Sequence, residues 1–124
     1  MNILKSHFYP NNPVQIDLAK ILSRLGGDRE LFIDLVEIYR EDYPQLLKEV
    51  GNAVSERNGA ELQKAGHALK GLISNFMYDN TTNLALKLEK MGRSGEWHGI
   101  DEAFAELQIG TELLLKALLK TTAG

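Results

Sequence analysis

The residues best suited to chemistry in this 124-residue chain surround His67, in the run His67-Ala68-Leu69-Lys70-Gly71. In a helix with about 100° per residue, one apolar stripe collects Leu62, Ala65, Leu69, Leu72, Ile73 and Phe76. His67 falls nearly opposite that stripe, so its ring is predicted to face solvent. A neutral imidazole is a good nucleophile, and its ordinary pKa of about 6.5 leaves it largely unprotonated at neutral pH. The pattern therefore indicates an exposed nucleophile.

Metal binding and serine-type catalysis are two common uses of a reactive histidine, and the sequence near His67 lacks the partner residues for both. The residues three or four positions from His67 are Gln63, Lys64, Lys70 and Gly71. They include no second metal ligand at helical spacing and no serine with an orienting carboxylate. Lys64 and Lys70 supply positive charge, and Gly71 has no side chain. Ala60 and Gly66 are also small, so the surface around His67 is expected to carry little side-chain bulk. These features suit a large phosphorylated partner that approaches the ring closely, because a phosphoryl group carries a charge of roughly −2.

The composition is that of one ordinary globular domain, and it excludes several kinds of site. The chain is long enough for one core, with 44% hydrophobic and 25% charged residues. Having no cysteine, it forms no disulfide, thiolate metal site or cysteine nucleophile, which fits a reducing cytoplasm. The net charge of −3 argues against nucleic-acid binding. No apolar run approaches the roughly 20 residues that span a bilayer, so we expect no membrane segment and a cytoplasmic location.

The first part of the chain is predicted to contain an arm and a short helix. Residues 1–13 mix asparagine and proline without periodicity, which predicts an irregular arm ahead of a domain over residues 14–124. Apolar residues then recur with a helical period from Leu18 to Leu25, where Gly26 and Gly27 end the segment.

Two longer helices are predicted next. Asp28 is a good N-cap for a helix that keeps its apolar period as far as Val54, with a kink or break expected at Pro44. The helix of His67 is predicted from about Ala60 to Met77.

The rest of the chain completes an all-helical pattern. Residues 79–82 predict a turn, and a short helix through Leu84 and Leu88 is expected to end at Gly92. The last helix carries apolar or core-compatible residues at Ile100, Phe104, Leu107, Thr111, Leu114 and Leu118. Amphipathic helices joined by short loops pack as antiparallel neighbours. The predicted fold is therefore all-α, an antiparallel four-helix bundle with an additional short N-terminal helix.

The His67 run, followed by Ser74-Asn75-Phe76, resembles the signature of histidine phosphotransfer (HPt) domains. Upstream, Leu25-Gly26-Gly27-Asp28 and the segment over residues 39–47 also resemble that family, so the resemblance extends from about Ile16 to Leu118. It implies a helical bundle that receives a phosphoryl group from a receiver-domain aspartate and passes it to another receiver, in two-component signal transduction.

The resemblance also implies roles for individual residues. His67 would be the phosphoacceptor, Lys70 would steady the phosphoryl charge, and Gly71 would provide clearance. The residues expected to contact the partner are Ala60, Gln63, Lys64, Ser74 and Asn75. The chain would need no metal or cofactor of its own, since Mg²⁺ is expected on the receiver. Response-regulator receiver domains are the expected partners, with a hybrid histidine kinase as a further candidate, and a monomer is the simplest expectation.

The chain departs from the family pattern at two places. Leu72 and Ile73 follow the motif glycine, where relatives usually have a small residue, and we attribute both to the apolar stripe. Met77 stands where relatives often have a glycine, which predicts that the helix continues further.

Two other functions remain open from the sequence. The bundle could be an adaptor that docks receivers without phosphotransfer, in which case His67 would be idle. It could also be the dimerising helix pair of a sensor kinase, but Ala68 after the histidine and the lack of any proline beyond Pro44 argue against that class. No Gly-rich loop of the ATP-binding type is present, so autophosphorylation is not expected.

Overall fold

The computed structural model describes residues 16–123, and these form five helices without a strand. The helices are α1 (Leu18–Arg24), α2 (Arg29–Glu56), α3 (Gly59–Ser74), α4 (Asp79–Ser94) and α5 (Ile100–Ala123). The predicted arm over residues 1–13 lies outside the described residues. Among the described helices, none is long and apolar enough to cross a membrane.

Local signals account for several of the helix ends. The side chains of Asp17, Asp28 and Asn58 each accept a hydrogen bond from a backbone N–H in the first turn of the helix that follows. Gly26 and Gly27 have positive φ angles of 69° and 80°, which turn the chain between α1 and α2. The predicted cap at Asp28 is therefore confirmed.

The four long helices form an up-and-down bundle. Helix α3 packs against α2 and α4, and α5 packs against the same two helices, so α3 and α5 lie diagonally opposite each other. The short helix α1 packs against α2. The all-α four-helix bundle with an extra N-terminal helix is thus confirmed.

Aromatic side chains anchor the core at the end of the bundle away from the α2–α3 turn. Tyr39 is fully buried, and its hydroxyl donates a hydrogen bond of 2.7 Å to the carbonyl of Thr111 across the bundle. Its ring stacks on Tyr43 and meets Phe76 edge-on. Burial raises the pKa of the Tyr39 phenol far above its ordinary value, so this hydroxyl stays a donor. Tyr39 is a core residue, whereas Tyr43 is half-buried at the edge of the core.

Two predictions about helix bounds are wrong, and a third is narrowed. Helix α2 is continuous across Pro44, so of the kink or break expected there, the break is absent. Helix α4 begins at Asp79 and ends at Ser94, so residues 79–82 are its first turn and Gly92 lies inside it. Helix α3 ends at Ser74, and Met77 adopts a left-handed φ of 55° in the turn that follows. Met77 therefore does not extend the helix; it occupies the backbone conformation that a glycine adopts at lower cost.

Candidate functional site

The outward face of α3 carries the residues that the sequence singled out. His67 is the prominent side chain there, with 69% of its side-chain surface exposed. The apolar stripe predicted for this helix is buried, apart from Leu72, which is half-buried. The other predicted site residues on this face are exposed, and they are Ala60, Lys64, Gly71, Ser74 and Asn75. Gln63 and Lys70 are half-buried because they lie on the side of α3 that faces α4.

A carboxylate from the neighbouring helix α4 reaches the site across the interface between α3 and α4. Glu89 is only 5% exposed, and its Oε2 lies 3.2 Å from Nδ1 of His67. Its Oε1 lies 2.9 Å from Nζ of Lys70, and Oε2 also lies 3.3 Å from Nη2 of Arg93. One buried carboxylate therefore holds three nitrogen-bearing side chains together.

Glycines in α3 and α4 allow the backbones to come close enough for this contact. A Cβ added to Gly66 would lie 3.1 Å from the backbone nitrogen and 3.2 Å from Cα of Glu89. A Cβ on Gly92 would lie 2.7 Å from the backbone oxygen of Gly59. Both distances are shorter than ordinary van der Waals contact, which is about 3.5–4.0 Å. The close approach of α4 therefore depends on small residues at the seam between the two helices.

This contact corrects the prediction for Gly66. The sequence grouped Gly66 with the bare surface around His67, but it is buried between α3 and α4. Gly71 is exposed, and a Cβ added there would meet nothing within 4 Å. Of Gly66 and Gly71, it is therefore Gly71 that leaves open space beside the histidine.

The charges around Glu89 favour its ionised form. Burial raises the pKa of its carboxyl, but Lys70 and His67 together lower it by more, so the net pKa lies below its ordinary value of 4.5. At neutral pH the carboxylate is therefore charged and accepts hydrogen bonds without donating any.

The carboxylate also determines which ring nitrogen of His67 can react. Since Glu89 only accepts, the neutral ring must carry its proton on Nδ1 to make this hydrogen bond. Nε2 then holds the lone pair, on the far side of the ring from Glu89. The arrangement can present Nε2 as a nucleophile and offset positive charge that develops on the ring during attack.

Ser74, which the sequence assigns to the partner contact, also makes a hydrogen bond within its own helix. Its hydroxyl donates a hydrogen bond of 2.9 Å to the backbone carbonyl of Gly71, within the last turn of α3. In this conformation the Ser74 hydroxyl donates its proton to the helix backbone, and its oxygen can still accept a hydrogen bond.

Glu89 and Arg93 were missed by the sequence reasoning. A signal was present, because Ala85, Glu89 and Gly92 follow one another at helical spacing on one face of α4. A charged residue between two small ones on a buried stripe indicates a polar contact with the neighbouring helix. Within residues 16–123, no three histidine, aspartate or glutamate side chains are grouped so that they could hold a metal ion.

Comparison with known proteins identifies the family of the chain. Neither a curated protein nor a solved structure matches the chain. A protein-family model described as Hpt domain matches residues 34–121, which include most of α2 and all of α3 and α4. The chain therefore belongs to the Hpt domain family, whose members carry phosphoryl groups on histidine in the phosphorelays of two-component signalling.

Proposed function

We propose that the chain is a phosphorelay carrier in which His67 accepts a phosphoryl group from a receiver-domain aspartyl phosphate and passes it to another receiver. The observation that carries the proposal is the geometry of His67, which is exposed on α3 while Glu89 occupies its Nδ1. This is the arrangement that a nucleophilic imidazole needs, since one nitrogen is fixed and the other is open to a partner.

The transfer follows from the chemistry of the two groups. Nε2 of His67 attacks phosphorus in line, a P–N bond forms, and the P–O bond to the receiver aspartate breaks, which releases a free carboxylate. The ring keeps its Nδ1 proton and gains positive charge as the P–N bond forms. Glu89, 3.2 Å away, offsets that charge without changing place. Transfer to a second receiver is the reverse sequence of bond changes.

Lys70 and Gly71 have separate roles in this proposal. The ammonium of Lys70 lies against Glu89 at 2.9 Å and has further N–H donors, with which it can steady the phosphoryl oxygens. Gly71 has open space around it, so a receiver can bring its aspartyl phosphate close to the ring.

The partner is expected to cover the outward face of α3. Ala60, Lys64, Ser74 and Asn75 are exposed there, and Gln63 lies at its edge, so we assign all five to the docking surface. The chain is not proposed to be a self-sufficient enzyme: the receiver supplies Mg²⁺, and transfer is catalysed by the two proteins together. The donor is a receiver or a kinase of the hybrid type. A monomer in the cytoplasm is the form that we propose, with this face open.

The test is phosphoryl uptake from a panel of phosphorylated receiver domains in the presence of Mg²⁺, with His67→Gln as the matched control. Native protein should acquire acid-labile, base-stable phosphate, and His67→Gln should acquire none while it remains folded and still docks. Docking by both proteins without label on either would overturn the carrier function in favour of the adaptor.

A further inference from the structure

The outward face of α3 lies between two seams of opposite charge. Glu49 of α2 and His67 of α3 each lie nine residues from Asn58 in the turn that joins the two antiparallel helices. At 1.5 Å per residue, both lie about 13 Å from that turn, so they are at the same height in the bundle. The carboxylate of Glu49 therefore lies at the height of the candidate nucleophile, on the neighbouring helix.

The seam between α2 and α3 is acidic. Glu49, Glu56 and Glu61 line one shallow groove of about 200 Å³, together with Asn52 and Ala53. All three carboxylates are exposed, and no ion pair is recorded for any of them within the described residues. These three residues are called the acidic seam below.

The seam between α3 and α4 is basic on balance. Lys70 and Arg93 converge on the single carboxylate of Glu89, which is buried, whereas Arg93 is 55% exposed. These two cations are called the basic seam below. Lys64 adds a third positive charge on the exposed face between the seams.

A partner that covers His67 spans both seams. Packed helices lie about 8–10 Å apart, and the screening length is about 10 Å in 0.1 M salt. The two seams thus lie about one screening length apart, so each seam acts most strongly on the partner charges nearest to it, and one receiver domain can contact both. Complementary charge steers encounter and fixes the orientation of a partner more than it adds affinity.

We propose that this surface orients its receiver partner by charge. The receiver docks in one orientation, with its anionic phosphoaspartate centre toward the basic seam and with basic side chains against the acidic seam. This inference rests on the proposed function and adds to it a requirement on the partner: positive charge on one side of its phosphorylated carboxylate.

The substitution Glu49→Lys separates this proposal from a simpler electrostatic picture. If only the negative charge of the phosphodonor mattered, a lysine at position 49, at the height of His67, would speed transfer. If the acidic seam contacts basic partner residues, the same lysine slows transfer through repulsion. Glu112→Lys on α5, diagonally opposite α3, is the matched control, because both variants raise the net charge of −3 by two. The Glu112–Lys116 pair that the control removes is exposed and contributes little stability.

The measurement is the second-order rate constant of phosphoryl transfer from the receiver that labels native protein best, at several salt concentrations, with folding checked by circular dichroism. At about 50 mM salt, Glu49→Lys should slow transfer by about tenfold, and the effect should disappear near about 0.5 M. Glu112→Lys should stay within about twofold of native protein. Faster transfer by Glu49→Lys, or a rate equal to the control, would overturn the oriented-docking proposal while labelling of His67 leaves the carrier function intact. Absence of label on native protein with every receiver would overturn both.

Discussion

Alanine substitutions at Gly66 and Gly71 make the same chemical change at two positions of α3, and we expect opposite effects on stability. At Gly66, the new Cβ would lie 3.1–3.2 Å from backbone atoms of Glu89. Because ordinary contacts are about 3.5–4.0 Å, α4 would have to retreat by about 0.3–0.5 Å. At Gly71, the new Cβ would meet nothing within 4 Å.

The magnitudes follow from these distances. Alanine is better than glycine inside a helix by about 1 kcal/mol, and Gly71→Ala should gain this in full. At Gly66 the same gain is opposed by overpacking, which typically costs about 1–3 kcal/mol. The free energies of unfolding of the two variants should therefore differ by about 2 kcal/mol, or about 8 °C in melting temperature, with Gly71→Ala the more stable.

Phosphoryl transfer should not follow stability in this pair. The retreat of α4 in Gly66→Ala would lengthen the 3.2 Å contact between Glu89 and His67 toward the limit of a hydrogen bond, and uptake should slow. Gly71→Ala should also slow uptake, although it is more stable, because its methyl group enters the space proposed for the receiver. Urea unfolding and receiver-dependent labelling measure the two properties. If Gly66→Ala were as stable as Gly71→Ala, the close approach of α4 would be refuted as the factor that positions Glu89.

Three further predictions concern the turn, the core and pH. Met77→Gly should be more stable than Met77→Ala by about 1 kcal/mol in urea unfolding, since both remove the side chain and only glycine adopts φ 55° without cost; a more stable alanine variant would contradict this. Tyr39→Phe should lose about 1–2 kcal/mol in the same assay because the buried carbonyl of Thr111 loses its donor, and an unchanged midpoint would argue against that bond. The lowered pKa of Glu89 gives the folded state stability that is present above pH 4.5 and is lost as pH falls through the folded-state pKa. Acid titration of unfolding should therefore show a steeper loss for native protein than for Glu89→Gln, and parallel curves would count against the ion pairs.

The exposed half of the site was accessible from sequence because helical periodicity alone places it. The large residues Leu69 and Ile73 define which side of α3 is buried, and His67 and Gly71 then face outward by geometry. Exposure of these residues needed no knowledge of the neighbouring helices.

The buried half of the site was missed because its signal is carried by small residues. In α4, Leu84 and Leu88 mark the stripe that sequence analysis detected, whereas the face against α3 carries Ala85 and Gly92. Alanine and glycine contribute little to a hydrophobic pattern, so the second stripe, with Glu89 on it, was not detected. Gly66 was misplaced for the same reason. In the sequence alone, a glycine that allows two helices to pack closely cannot be distinguished from a glycine on an exposed surface.

The turn between α3 and α4 was difficult for a different reason. The N-cap residue of α4 is Tyr78, whose side chain makes no capping hydrogen bond, and the first turn contains Asn80 and Thr81, which favour helices weakly. Burial of Thr81 against Gly110 of α5 is a tertiary contact that the local sequence does not reveal. The early start of this helix is therefore set by packing and not by propensity.

The most direct test of the central claim is to locate the phosphate on the phosphorylated protein by ¹⁵N and ³¹P NMR. Glu89 holds Nδ1 of His67, so the account predicts phosphate on Nε2 of that residue, with Nδ1 still protonated. Phosphate on Nδ1, or on any residue other than His67, would contradict it.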